Sequence, residues 1–142
     1  MTAEGRPAQV ALIEDNPGDV LLIREALREE GLDVNLVHFH DGDEAWACLN
    51  TQAEAPNLIL LDLNLPRVDG TLLLRQIRGH PVLSHVPIAV LTSSQSPADE
   101  NEAIAMGAER FIRKPSGLEE FLTSVGRAVR DLLEGSDGRQ GE

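Results

Sequence analysis

The stretch Asn57-Leu58-Ile59-Leu60-Leu61-Asp62-Leu63-Asn64-Leu65-Pro66 places a wholly apolar run directly before a single carboxylate. A run with no polar alternation is buried on both faces, which is the pattern of a parallel sheet covered by helices on either side. Other runs end in the same way. Residues 10–13 precede Glu14-Asp15, residues 88–91 precede Thr92, and residues 110–112 lead to Lys114-Pro115. A further run, residues 35–39, ends in no such group. In an open α/β sheet, side chains at successive strand ends converge on one edge, where such folds bind ligands. An acidic pair, a carboxylate, a hydroxyl and an ammonium gathered there suit the handling of phosphate.

Helix-length segments separate the runs. Asn16-Pro17-Gly18-Asp19 reads as a helix start, with Asn as N-cap, Pro at the first helical position and Asp in the first turn, and Gly31 as the stop. Asp41-Gly42-Asp43-Glu44 has capping-box spacing. A third helix follows Asp69-Gly70 and ends near Gly79, a fourth follows Ser96-Pro97, and a fifth follows Ser116. In the fifth, Leu118, Phe121, Leu122, Val125, Val129 and Leu132 form one apolar stripe. The fourth offers only Ile104, Met106 and alanines as anchors. Strict strand-helix alternation with right-handed crossovers predicts a five-stranded parallel sheet, doubly wound, in flavodoxin-like order 2-1-3-4-5 with five helices.

The 142 residues suffice for one domain that needs no metal or disulfide to fold. The expected division is a flexible N-terminus at 1–7, the domain at 8–134 and a disordered tail at 135–142. The formal net charge is −12 and no basic cluster stands out, which excludes binding along a nucleic-acid backbone. No stretch approaches the roughly 18 apolar residues of a membrane span, and the first residues lack a signal peptide's apolar core. With the single Cys48 this predicts a cytoplasmic, reducing location.

Glu14, Asp15 and Asp62 share one corner, because the first and third strands are neighbours in this order. Their mutual repulsion calls for a cation, and hard oxygen ligands suit Mg²⁺ or Mn²⁺. Asp15 and Asp62 are expected as direct ligands, Glu14 through water, and the backbone carbonyl of Asn64 to complete the shell. Asp62 can then attack phosphorus as a carboxylate nucleophile. The Thr92 hydroxyl can donate to a phosphoryl oxygen, and the Lys114 ammonium can neutralise one. Pro115 demands a special turn of the kind where cis bonds occur. His38 and His40 share one side of their strand without a third metal ligand, and Trp46 reads as a packed helix residue.

These motifs, in order and spacing, resemble the receiver domain of two-component response regulators over residues 10–133. Leu12-Ile13-Glu14-Asp15-Asn16-Pro17-Gly18-Asp19, Leu61-Asp62-Leu63-Asn64-Leu65-Pro66 and the long connection at 80–87 resemble the single-domain regulators associated with phytochrome histidine kinases. The resemblance implies a non-enzymatic phosphoprotein. Asp62 would take a phosphoryl group from a sensor kinase's phosphohistidine, and the protein would assist its own phosphorylation and dephosphorylation. Thr92 and Lys114 would read the phosphorylated state, and Phe111 would occupy the aromatic switch position. Partners would be a kinase, such as a bacterial phytochrome, and a downstream or phosphotransfer protein, with a homodimer through the fourth helix, fifth strand and fifth helix. The sequence departs from the pattern in two places: Phe111 has no hydroxyl, and Leu65 stands where many receivers carry Met.

Three alternatives compete. A haloacid-dehalogenase-type phosphatase needs an acid where Asn64 stands, and an amide cannot protonate a leaving group. A flavodoxin-like electron carrier is opposed by Glu14-Asp15 and by the absence of Tyr. A degenerate receiver serving as docking module or phosphate sink is opposed by intact Asp62, Thr92 and Lys114.

Overall fold

Adjacent residues of the central strands turn to opposite faces of one sheet, and both faces are dry. A computed structural model describes residues 6–51, 54–65 and 70–140. Its strands are β1 (Ala8–Ile13), β2 (Val34–Phe39), β3 (Leu58–Asp62), β4 (Ile88–Thr92) and β5 (Arg110–Arg113), with helices α1 (Pro17–Glu29), α2 (Gly42–Leu49), α3 (Gly70–Arg78), α4 (Pro97–Ala105) and α5 (Leu118–Gln140) alternating between them. The strands pair in parallel in the order β2-β1-β3-β4-β5, the order read from the sequence.

The period-2 alternation of strands divides the core in two. Val10, Leu12, Leu58, Leu60, Ala89 and Leu91 face one side, where they meet Val20, Ile23 and Leu27 of α1 and Phe121, Val125 and Val129 of α5. Ala11, Ile13, Ile59, Leu61, Ile88 and Val90 face the other, against Leu49 of α2, Leu73, Leu74 and Ile77 of α3 and Ala103 of α4. The edge strand β2 is only half-buried along most of its length.

α1 and α5 lie close enough that a Cβ on Gly126 would sit 2.9 Å from the carbonyl oxygen of Ala26. Arg130 of α5 also pairs with Glu30 at the end of α1. Gly31 stops α1 with φ of 73°, the left-handed conformation that glycine takes without steric cost.

The helix starts follow their caps. Asn16 Oδ1 accepts from the main-chain nitrogens of Gly18 and Asp19 at 2.8 and 3.2 Å. Asp41 Oδ1 accepts from Glu44 N at 2.7 Å, while the Glu44 carboxylate reaches His40 N instead of closing the box on Asp41. Ser96 makes no side-chain cap; Ser94 Oγ instead donates to Asp99 in the first turn of α4.

Several expectations need correction. Leu118 is 58% exposed, and Leu133 is buried where Leu132 is only half-buried. Leu118 begins the helix short of the sheet, and Leu133 lies one turn beyond Val129, so it continues the stripe. In α4 the buried residue is Ala103, while Ile104 is 47% exposed and Met106 half-buried. The backbone of 135–140 continues α5 as helix. Gly135 does not take positive φ, and extending an existing helix avoids the cost of nucleation. Among the described residues no peptide bond is cis, so Lys114 and Pro115 are joined in trans, the isomer favoured by about 0.5–1 kcal/mol. Pro66, the Asp69 start of the third helix, residues 1–5 of the N-terminus and residues 141–142 of the tail lie outside the described residues.

Candidate functional site

The carboxyl ends of β1, β3, β4 and β5 bring Glu14, Asp15, Asp62, Thr92 and Lys114 to one edge of the sheet. Glu14 has no exposed surface, Asp62 is 3% exposed and Thr92 1%, whereas Asp15 points to solvent. Glu14, Asp15 and Asp62 each present a carboxylate oxygen, and these oxygens lie within 4.8 Å of one another. Three hard anionic donors so close, one of them open to solvent, fit a divalent cation of the Mg²⁺ or Mn²⁺ kind.

Lys114 answers this negative charge from β5. Its Nζ donates to Asp19 Oδ2 at 2.7 Å, Glu14 Oε1 at 2.8 Å and Asp62 Oδ2 at 3.3 Å. Its main chain is fixed by a 2.8 Å bond from Lys114 N to the Thr92 carbonyl. Burial pushes the Glu14 carboxyl up to about 8, and Asp62 adds to the rise while the Lys114 ammonium opposes it. For Lys114, burial works against the charge, but hydrogen bonds to Asp19 and Glu14 outweigh it and hold the ammonium above its ordinary range.

The loop after β3 closes the site. Asp62 Oδ1 accepts from Asn64 N at 2.8 Å, the local turn expected of an Asp two residues upstream. The Asn64 side chain reaches across to β4, where Nδ2 donates to Thr92 Oγ1 at 3.0 Å and Ser93 Oγ at 3.3 Å. Ser94 N also donates to Thr92 Oγ1 at 3.0 Å. With both hydroxyl lone pairs used, Thr92 has its proton left to offer an incoming oxygen. At β1, His38 Nε2 donates to the Glu14 carbonyl oxygen at 2.7 Å, and its ring meets His40 edge to face at 4.6 Å. That places the two histidines beside each other; the one group of metal-binding type among the described residues is the carboxylate triad.

Two neighbours of the site escaped sequence reading. Asp19 appears in the sequence only as a first-turn acid favoured by the helix dipole, yet it makes the shortest of the Lys114 contacts. No local signal marked it, because Lys114 lies 95 positions further along the chain. Arg113, next to Lys114, lies 5.3 Å from the centre of the Phe111 ring and pairs with Glu100 of α4 at 3.0 Å. Phe111 itself is half-buried beside the α3 and α4 side of the core.

A doubly wound parallel sheet with an acidic corner at its carboxyl edge defines the class: an open α/β domain with its chemistry at the strand ends. Within that class the chain belongs to the response regulator receiver domain family, whose pattern matches residues 10–126. It is 35% identical over 131 residues to response regulator Rcp1 of Synechocystis sp., an alignment covering 88% of this chain and 89% of that protein. The crystal structure of the phosphorylated cyanobacterial phytochrome response regulator RcpA is similar at a TM-score of 0.84 and 32% identity, covering 92% of this chain and 96% of that one. The Mn²⁺-bound form of Rcp1 is similar at a TM-score of 0.82 and 33% identity, over 90% of this chain and 96% of that one. The protein is therefore a receiver domain close to the phytochrome response regulators. Among its described residues no helix is long and apolar enough to cross a membrane.

Proposed function

We propose that this protein is a phosphoacceptor regulator that takes a phosphoryl group on Asp62 from a phytochrome-type sensor histidine kinase and signals through protein contacts. The observation that carries this reading is the Lys114 ammonium held against the nearly buried Asp62 carboxylate inside an otherwise acidic corner. In the transfer, an Asp62 oxygen forms a bond to phosphorus as the donor's phosphorus–nitrogen bond breaks, and the electron pair leaves with the imidazole. Lys114 and the Thr92 hydroxyl each face a phosphoryl oxygen, dispersing charge as it builds. Asp15, Asp62 and the Asn64 main-chain oxygen, with Glu14 through water, would hold a divalent cation, which when bound would supply the charge neutralisation that an anionic donor needs to approach. Hydrolysis reverses the state: water attacks phosphorus and the Asp62 carboxylate departs. Asp62→Asn removes the nucleophile, so labelling by acetyl phosphate and Mg²⁺ should vanish in that variant; persistent labelling would return the chain to a docking role or a different acceptor.

The output runs through α4, β5 and α5. Lys114 ties β5 to the phosphoryl site, and Arg113, lying over Phe111 of the same strand, ties it to Glu100 of α4. Added charge of about −1.5 to −2 at Asp62 therefore acts first on this side. A homodimer through this face, and a downstream or phosphotransfer partner on it, complete the reading. Light scattering over a concentration series with and without a phosphate mimic should show the dimer; a monomer throughout would remove it.

A further inference from the structure

Lys114 has three N–H groups and all three meet carboxylates: Asp19 at 2.7 Å, Glu14 at 2.8 Å and Asp62 at 3.3 Å. The longest contact is the one to the proposed phosphoacceptor. Asp19 differs from the other two acceptors in what else is asked of it. The carboxylate triad that suits a cation consists of Glu14, Asp15 and Asp62, and Asp19 stands outside it. Its backbone is fixed at the start of α1, where Asp19 N donates to the Asn16 cap at 3.2 Å. Its side chain is 23% exposed, so it reaches Lys114 from the rim of the site.

We propose that Asp19 is a positioning residue for phosphoryl transfer, anchoring the Lys114 ammonium so that its contact with Asp62 can be exchanged for one with a phosphoryl oxygen. The inference rests on Asp62 being the phosphoacceptor. An ammonium has three protons and no fourth to offer. When a phosphoryl group arrives on Asp62, Lys114 must give up one acceptor to gain another, and the 3.3 Å contact is the weakest of the three. Glu14 is shared with the cation, which leaves Asp19 as the acceptor that neither cation nor phosphoryl group claims. Without it the lysine's flexible four-carbon stem has one fewer restraint and samples more orientations. No proton leaves Lys114 in this step; one hydrogen bond is traded for another.

A simple charge effect predicts the opposite sign, which makes the test decisive. If Asp19 acts only as a negative charge repelling an anionic donor, removing it should speed phosphorylation. If it anchors Lys114, Asp19→Ala should slow the initial rate with acetyl phosphate and saturating Mg²⁺ about tenfold, the scale of one charge-assisted hydrogen bond. Asp19→Asn, neutral but still an acceptor, should fall between, and Asp19→Glu should recover part of the rate. Rates in Asp19→Ala and Asp19→Asn equal to or above wild type would overturn the proposal. A second readout needs no phosphorylation. The ¹⁵Nζ–H signal of Lys114 should be sharp and slowly exchanging in the wild type and lost in Asp19→Ala; identical signals in both would overturn the anchor. A wild type that acetyl phosphate cannot label would instead overturn the Asp62 reading, with the Lys114 signal still deciding the role of Asp19.

Discussion

α5 and α4 flank the same strand and hold to the protein in different ways. α5 buries Phe121, Leu122, Val125, Ala128, Val129 and Leu133 against β-strands and α1, whereas α4 buries only Ala103. What α4 has besides is polar: the Ser94–Asp99 bond at its start and the Glu100–Arg113 pair along its side. Apolar area stabilises by about 25 cal/mol per Å², while exposed ion pairs contribute at most about 1 kcal/mol. One helix is thus part of the foundation, and the other is free to shift at little cost when charge at the site changes.

The difference is broken most severely from the α5 side. Phe121→Ala should destabilise the fold by about 3–5 kcal/mol in denaturant titrations, because the ring is 3% exposed and leaves a cavity between α1 and the sheet. A loss below 1 kcal/mol would mean that α5 is not the anchor.

The next effect lies in the acidic corner at the ends of β1 and β3 and is read by pH in metal-free buffer. Glu14 rises from 4.5 to about 8 on folding, so the stability it contributes is present in full below about 4.5 and is lost as pH climbs through about 8. Lys114 is protonated in both states across that window and adds no slope. The apoprotein should therefore be more stable at pH 5 than at pH 9, by on the order of a few kcal/mol from this group. Glu14→Gln should flatten that part of the profile. An unchanged slope in the variant would assign it to other groups.

For α4 a smaller change is expected. Ala103→Gly should cost about 1 kcal/mol, from helix propensity, and should raise amide exchange across α4 while leaving 118–132 of α5 unchanged. Wild-type α4 should already exchange faster than α5; equal protection would erase the contrast.

The smallest effect is the pair that joins β5 to α4. Arg113→Ala removes the contact with Glu100 and the cation over Phe111, each partly exposed, and should cost no more than about 1 kcal/mol in stability. Its consequence should appear in the α4 exchange rates rather than in the melting temperature.

Sequence reading recovered what local chemistry writes plainly. Uninterrupted apolar runs gave the strands, Asn16 and Gly31 bounded α1, and groups placed at strand ends had to meet at the sheet's carboxyl edge. It failed where tertiary geometry decides. The stripe on α5 begins at Phe121 and ends at Leu133, because helix ends and the sheet's boundary fix which of several leucines is covered. Asp19 meets Lys114 across 95 positions of sequence, and nothing local to either announces that partnership. The division of labour at Asn64, whose amide covers Thr92, likewise depends on β3 and β4 lying side by side.

Arg78, at the end of α3, is the least legible of all, since its hydrogen-bond partners are carbonyl oxygens common to every residue and its one carboxylate, Glu109, lies 3.9 Å away. Its guanidinium donates to the main chain of Gly107 at 3.0 and 2.6 Å, of Ser84 at 3.1 Å and of Val86 at 2.7 Å. A Cβ on Gly107, whose φ is 107°, would lie 2.7 Å from Arg78 Nε. One side chain thus does for the irregular segment 79–87 what a bound calcium ion does for loops in other proteins, gathering carbonyl oxygens about a fixed positive charge. Because the oxygens are read and the side chains are not, evolution can rewrite the exposed positions Pro81, Val82 and His85 without loosening the segment, so long as Leu83 and Val86 keep their footing in the core. The surface beside β4 can then diverge between relatives on a backbone that stays put.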